Sequence, residues 1–105
     1  MAFQKVVTLD DLWRGEMKGF VVEGRHLLLV NYDGTVHAYA NVCPHQRSPL
    51  GAGTLSGNVL TCATHHWQFD VSSGRGINPE RACLEAFAVR IDNDDILVDV
   101  DQLPT

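Results

Sequence analysis

The sequence predicts an all-β domain in which an antiparallel β base is interrupted by an inserted, loop-rich lobe. Three observations carry that prediction. Near the C-terminus apolar residues alternate, with Phe87, Val89 and Ile91 followed across an acidic turn by Ile96, Val98 and Val100. Asp33-Gly34 stands between two apolar runs, and that dipeptide suits the left-handed backbone of a two-residue hairpin. Between 41 and 76 the pattern breaks, with glycine at 51, 53, 57, 74 and 76 and proline at 44 and 49. The chain is therefore expected to be a single domain over 1–105, with a base from 1–40 and 77–105 and a lobe from 41–76.

The elements follow in order. Gln4 to Val7 reads as a strand. Thr8 has the character of a helix N-cap, with Asp11 three residues on, a Val7 to Leu12 staple, and Gly15 in the place of a C-terminal glycine. A single helical turn is expected there. Gly19 to Glu23 and Arg25 to Tyr32 read as strands, and the Asp33-Gly34 turn leads into a third at Thr35 to Ala40. Within the lobe, short strands are expected at Asn58 to Cys62 and Trp67 to Val71. The Asp92 to Asp95 cluster forms the turn between the two alternating C-terminal segments.

Composition narrows the class. A chain of 105 residues can bury roughly 60 to 70% of its unfolded surface without disulfides. Hydrophobic residues make up 45% and charged residues 20%, as in ordinary globular domains rather than disordered ones. The net charge of −5 argues against nucleic acid as a partner and favours a basic protein surface. The start Met1-Ala2-Phe3-Gln4-Lys5 lacks the apolar core of a secretory signal, and the longest aliphatic run is Leu27 to Val30, far short of a span of about 20 apolar residues. No membrane attachment and a cytoplasmic location are expected.

Cys43-Pro44-His45 and Cys62-Ala63-Thr64-His65 carry the chemistry. The pattern C-x-H-x16-C-x2-H brings one thiolate and one imidazole from each of two short segments. Two cysteines on one iron and two histidines on the other are the ligands of a Rieske 2Fe-2S centre. Neutral imidazoles in place of two thiolates make the core less negative and easier to reduce. The potential therefore rises from about −400 mV to the range of roughly −150 to +300 mV. A structural zinc uses the same four donor types, but zinc motifs usually pair like with like, C-x2-4-C followed by H-x3-5-H. With Cys43 and Cys62 assigned to a cluster, Cys83 has no intramolecular disulfide partner, in keeping with a reducing compartment.

On these residues the whole chain resembles the Rieske family, with Trp67-Gln68-Phe69-Asp70 completing the second cluster segment. A narrower resemblance, to the Rieske ferredoxin components of toluene and alkene monooxygenases, lies in three stretches. They are Thr8-Leu9-Asp10-Asp11-Leu12-Trp13 with Gly15-Glu16-Met17, Cys43-Pro44-His45-Gln46, and Gly76-Ile77-Asn78-Pro79. The resemblance implies a Rieske-type β base with an inserted cluster-binding lobe and one 2Fe-2S cluster per chain. It also implies Cys43 and Cys62 on the buried iron and His45 and His65 on the outer one. In function it implies a monomeric, non-catalytic one-electron carrier of a multicomponent aromatic or alkene monooxygenase. Such a carrier is reduced by an NADH-dependent flavin reductase and reoxidised by a di-iron hydroxylase.

The chain departs from the family pattern in two ways. Many members have glycine after the second histidine, where this chain has His66. Its side chain must point outward or tolerate a glycine-like backbone, and its adjacency to His65 leaves it as the alternative ligand. High-potential members place serine and tyrosine hydroxyls, and an extra cysteine in each segment, around the cluster. Here Trp67 and Phe69 stand at the hydroxyl positions, and Gln46 to Pro49 and Ala63-Thr64 contain no cysteine. A potential near the low end, roughly −150 mV, is expected.

Other residues have simpler readings. Cys83 is expected to be a buried small apolar residue, His26 and His37 surface or hydrogen-bonded strand residues, and Trp13 a residue packing the short helix on the base. Trp67 is either a partner contact or a shield. Asp10, Asp11 and Glu16 are solvated acids or a docking patch for a basic partner. The competing functions are the ferredoxin of a ring-hydroxylating dioxygenase, a nitrite-reductase small subunit, and a zinc-stabilised interaction module. A stand-alone oxygenase would need a second site of two histidines and a carboxylate, and only His26, His37 and His66 remain to build one.

Overall fold

The structure, a computed structural model, describes residues 3–41, 50–63, 66–78, 80 and 82–99. Eleven strands are described: β1 (Phe3–Thr8), β2 (Met17–Val22), β3 (Arg25–Tyr32), β4 (Thr35–Ala40), β5 (Thr54–Ser56), β6 (Val59–Thr61), β7 (Gln68–Asp70), β8 (Gly76–Asn78), β9 (Ala86–Phe87), β10 (Val89–Asp92) and β11 (Asp95–Asp99). They form three antiparallel sheets, β1-β11-β10, β2-β3-β4-β9 and β5-β6-β7-β8. Among the described residues the helical segments are two 3-10 turns, Leu9–Asp11 and Leu50–Ala52. None is long and apolar enough to cross a membrane. The all-β expectation holds.

The middle sheet is covered on both faces, and β3 shows why. Leu28 and Val30 join Tyr39, Leu50, Leu60, Cys62, Phe69, Val71 and Leu84 in a core under the β5–β8 sheet. Leu27 and Leu29 point the other way, into a core with Leu12, Ala38, Phe87, Ile96 and Val98. Successive strand residues face opposite sides, so a strand between two cores needs an unbroken apolar run. All four residues from Leu27 to Val30 are fully buried, each worth about 1.5–3 kcal/mol of transfer free energy.

The turns match their local chemistry. Asp33 and Gly34 have φ of 52° and 87°, and Glu23 and Gly24 have 51° and 80°. Both are two-residue hairpins with two consecutive left-handed residues, whose twist suits the flanking strands. Glu23, read as the end of a strand, is thus part of a turn. The turn after β1 differs more from expectation. Thr8 has the extended backbone of an N-cap, but its hydroxyl donates to Asp11 Oδ2 at 3.2 Å and caps no backbone amide. Gly15, at φ 85°, lies beyond the single 3-10 turn and donates its N–H to the Asn31 carbonyl at 2.7 Å. It starts the reversal into β2 instead of ending a helix. Trp13 is 68% exposed, whereas Leu12 is fully buried. Leu12 takes the inward position, and Leu9 at the start of the turn packs partly against the same core. The indole N–H of Trp13 lies along the outside and donates to the Asp10 carbonyl at 2.7 Å.

The C-terminal alternation holds for Ile96 and Val98, while Val100 lies outside the described residues. The segment from Phe87 to Ile91 is two short strands. Ala86–Phe87 pairs with β4, and Val89–Asp92 pairs with β11. The chain changes sheets at Ala88 and so joins the β2-β3-β4-β9 sheet to the β1-β11-β10 sheet.

Candidate metal centre

Of the four assigned ligands, Cys62 is the one among the described residues; Cys43, His45 and His65 lie outside them, as do Gln46 to Pro49 and Thr64. It follows β6 directly. Its N–H donates to the Trp67 carbonyl at 2.7 Å, and its own carbonyl accepts the His66 N–H at 3.1 Å. These bonds extend the β6–β7 pairing, in which Thr61 faces Gln68, into the base of a tight loop. The Cys62 side chain is 1% exposed and belongs to the same core as Leu50, Leu60, Phe69 and Val71. A thiolate in such surroundings is costly unless a metal neutralises it. The described donor therefore fits a buried iron. Among the described residues no three His, Cys, Asp or Glu side chains converge elsewhere.

His66 adopts φ 59° and is exposed, so it takes the glycine-like backbone and also points outward. Histidine is among the non-glycine residues that enter this region more readily. Trp67 is partly buried and packs on the core that holds Cys62. Phe69 is fully buried there. Cys83, expected to be buried, is exposed. It lies beside the β8 edge, paired with Arg75 across an isolated bridge, and lines an open groove of ≈ 480 Å³ with Arg75, Ile77, Glu80 and Ala82. Its neighbour Leu84 takes the inward position instead.

Sequence reasoning did not find the residues that pack beside the two candidate ligand segments. Asn41, immediately before the segment that holds Cys43 and His45, accepts the Gly51 N–H on Oδ1 at 3.0 Å. Gly53 sits against the backbone that leads into Cys62. A Cβ at Gly53 would overlap the Thr61 carbonyl oxygen and stand 3.3 Å from the Ala63 nitrogen. The glycine pair at 51 and 53 was legible as loop composition, but its contacts were not.

A polar cluster joins β4 to the β5–β8 sheet. His37 stacks on Tyr39 with ring centroids 6.3 Å apart, and the Tyr39 hydroxyl donates to the Val71 carbonyl at 2.6 Å. Burial lowers the His37 pKa, against the opposing charge of Asp70. Burial, and then the Asp70 charge, push Tyr39 up to about 12. Asp70 Oδ1 accepts the Ser72 hydroxyl at 2.6 Å and the Ser72 N–H at 2.9 Å. Those two bonds, the hydroxyl first, hold the Asp70 carboxyl below its usual range.

Comparison with known proteins agrees with this arrangement. The Rieske [2Fe-2S] domain family matches residues 2–88. The ferredoxin component of the alkene monooxygenase system of Xanthobacter autotrophicus is 43% identical over 100 residues, covering 94% of this chain and 82% of the relative. The ferredoxin component of the naphthalene 1,2-dioxygenase system of Pseudomonas putida is 30% identical, covering 91% and 93%. Among solved structures, the ferredoxin of carbazole 1,9a-dioxygenase from Nocardioides aromaticivorans superposes with a TM-score of 0.84 at 30% identity, covering 93% of this chain and 97% of that one. The chain belongs to the Rieske [2Fe-2S] domain family, carries a cluster of that type, and is a ferredoxin-type electron carrier rather than an enzyme.

Proposed function

We propose that this chain is the one-electron shuttle of a multicomponent aromatic or alkene monooxygenase, reduced by an NADH-dependent flavin reductase and reoxidised by a di-iron hydroxylase. The observation that carries the reading is the 43% identity, over 94% of the chain, to the ferredoxin component of an alkene monooxygenase system, against 30% for the dioxygenase ferredoxin. In this reading the protein works as a cytoplasmic monomer, with residues 1–40 and 77–105 as a passive base and 41–76 as the cluster-binding lobe.

Cys43 and Cys62 would hold one iron, and His45 and His65 the other. When bound, the cluster supplies storage for one electron at a time. The protein does the rest. Leu50, Leu60 and Phe69, all fully buried, keep water from the Cys62 sulfur. The short Cys62–Trp67 turn, closed by its two backbone bonds, sets that sulfur at the end of β6. His66, exposed on the same turn, marks where that turn reaches the surface.

Anaerobic stopped-flow mixing of the reduced protein with a di-iron toluene-type hydroxylase and, separately, with a Rieske dioxygenase tests the choice of partner. Fast reoxidation by the di-iron enzyme alone is expected. Fast reoxidation by the dioxygenase alone would transfer the shuttle to that system. Alanine at Cys43, His45, Cys62 or His65 should each abolish the normal cluster. An unchanged reduced-state paramagnetic resonance signal in His65→Ala would move that ligand to His66.

A further inference from the structure

Described residues beside the two proposed ligand segments, Asn41 before the first and Thr61 to Ala63 at the start of the second, meet at one short turn. Leu50–Ala52 is a 3-10 turn, closed by the Gly53 N–H donating to the Leu50 carbonyl at 3.0 Å. One side of it is bonded to the residue before the first segment. Asn41 Oδ1 accepts the Gly51 N–H, while the Asn41 backbone N–H donates to the His26 carbonyl at 2.9 Å. Asn41 is thereby fixed to β3 and fixes the turn in its place. Gly19 on β2 gives it room, since a Cβ there would stand 2.7 Å from Asn41 Nδ2.

The other side of the turn presses on the second segment. Gly53 lies against the peptide that joins Thr61 to Cys62, and its missing Cβ would meet backbone, not the movable end of a side chain. Leu50, in the same turn, is fully buried in the core that also contains Cys62. A continuous path of close contacts thus runs from β2 and β3 through Asn41, Gly51 and Gly53 to the Cys62 backbone. A four-ligand metal site tolerates only about 0.2 Å of error in its bond lengths, so the spacing between its two segments must be set by rigid neighbours.

We propose that the Leu50–Gly53 turn is the spacer that sets the distance between the two ligand segments, with Asn41 and Gly53 as positioning residues. The inference rests on the four-ligand assignment of the proposed function. That assignment is tested in the ligand variants, so the two can fail separately.

The test uses the cluster-loaded protein and two readouts, the line shape of the reduced-state paramagnetic resonance spectrum and the rate of bleaching by a ferrous chelator. Asn41→Ala leaves the Gly51 N–H without its acceptor, and Gly53→Ala displaces the Thr61–Cys62 backbone. Both should broaden or shift the spectrum. Asn41→Ala should bleach roughly fivefold faster, the factor that the loss of one ordinary hydrogen bond corresponds to. Asn41→Asp keeps an oxygen acceptor and should restore the line shape. Gly57→Ala is the control. It places alanine at φ 59° with nothing within 4 Å, so it should lower the melting temperature and leave both cluster readouts at wild-type values. The proposal is overturned by a wild-type line shape and bleaching rate in Asn41→Ala, by Asn41→Asp behaving as Asn41→Ala, or by Gly57→Ala matching Asn41→Ala. If Gly53→Ala does not fold, the Asn41 variants and the control decide by the same criteria.

Discussion

The Tyr39 hydroxyl donates a 2.6 Å hydrogen bond to the Val71 carbonyl, and this contact ties β4 to the end of β7 in the β5–β8 sheet. Tyr39 is 2% exposed and Val71 fully buried, so the bond is made where water does not replace it. Gly74 lies under the same ring, 3.0 Å from Cε1 by the position its Cβ would take.

Tyr39→Phe removes the bond and leaves a buried carbonyl unsatisfied. It should cost about 1–3 kcal/mol of stability, read as a lower melting temperature with a wild-type iron and sulfide content. No change in melting temperature would show that the contact adds nothing.

Leu27 and Leu28 are adjacent and fully buried but belong to different cores. Leu27→Ala and Leu28→Ala should each destabilise the fold by about 2–5 kcal/mol. Only Leu28→Ala hollows the core that contains Cys62, so it should also speed chelator bleaching relative to Leu27→Ala. Equal bleaching rates would contradict the separation of the two cores.

The midpoint potential should lie near the low end of the Rieske range, at about −150 mV. Phe69 and Trp67 have no hydroxyl, and the hydroxyl of Tyr39 in the same core is committed to Val71. Potentiometric titration followed by visible absorbance checks this, and a midpoint above zero would contradict it.

Stability should fall on acidification through His37. Its pKa is lowered from 6.5 by burial, so the unfolded chain takes up a proton before the folded one does. The contribution of neutral His37 is therefore complete above about pH 6.5 and lost as pH drops through the window just below it. Melting temperatures at pH 7.5 and at pH 5 should fall further apart in the wild type than in His37→Gln. Equal differences would remove His37 from the pH response.

Local pattern made several features legible. The Asp33-Gly34 hairpin and the Leu27 to Val30 run appear as read because backbone preference and face alternation are local properties. The strand hand-over at Ala88 was not legible, since alternation gives the face of a residue and not which sheet will pair with it. Trp13 and Cys83 were expected inside by residue type. The neighbouring Leu12 and Leu84 took the inward positions. The two anchors of the candidate site, Asn41 on Gly51 and Gly53 against Thr61, depend on contacts between segments that no spacing rule encodes.

Pulsed electron paramagnetic resonance of the reduced protein grown with 15N-histidine distinguishes a cluster held by two cysteines and two histidines from any other ligand set. Coupling to two histidine nitrogens is expected, with the wild-type signal lost in both His45→Ala and His65→Ala and kept in His66→Ala. A signal without histidine nitrogen coupling, or a colourless protein containing zinc, would contradict it.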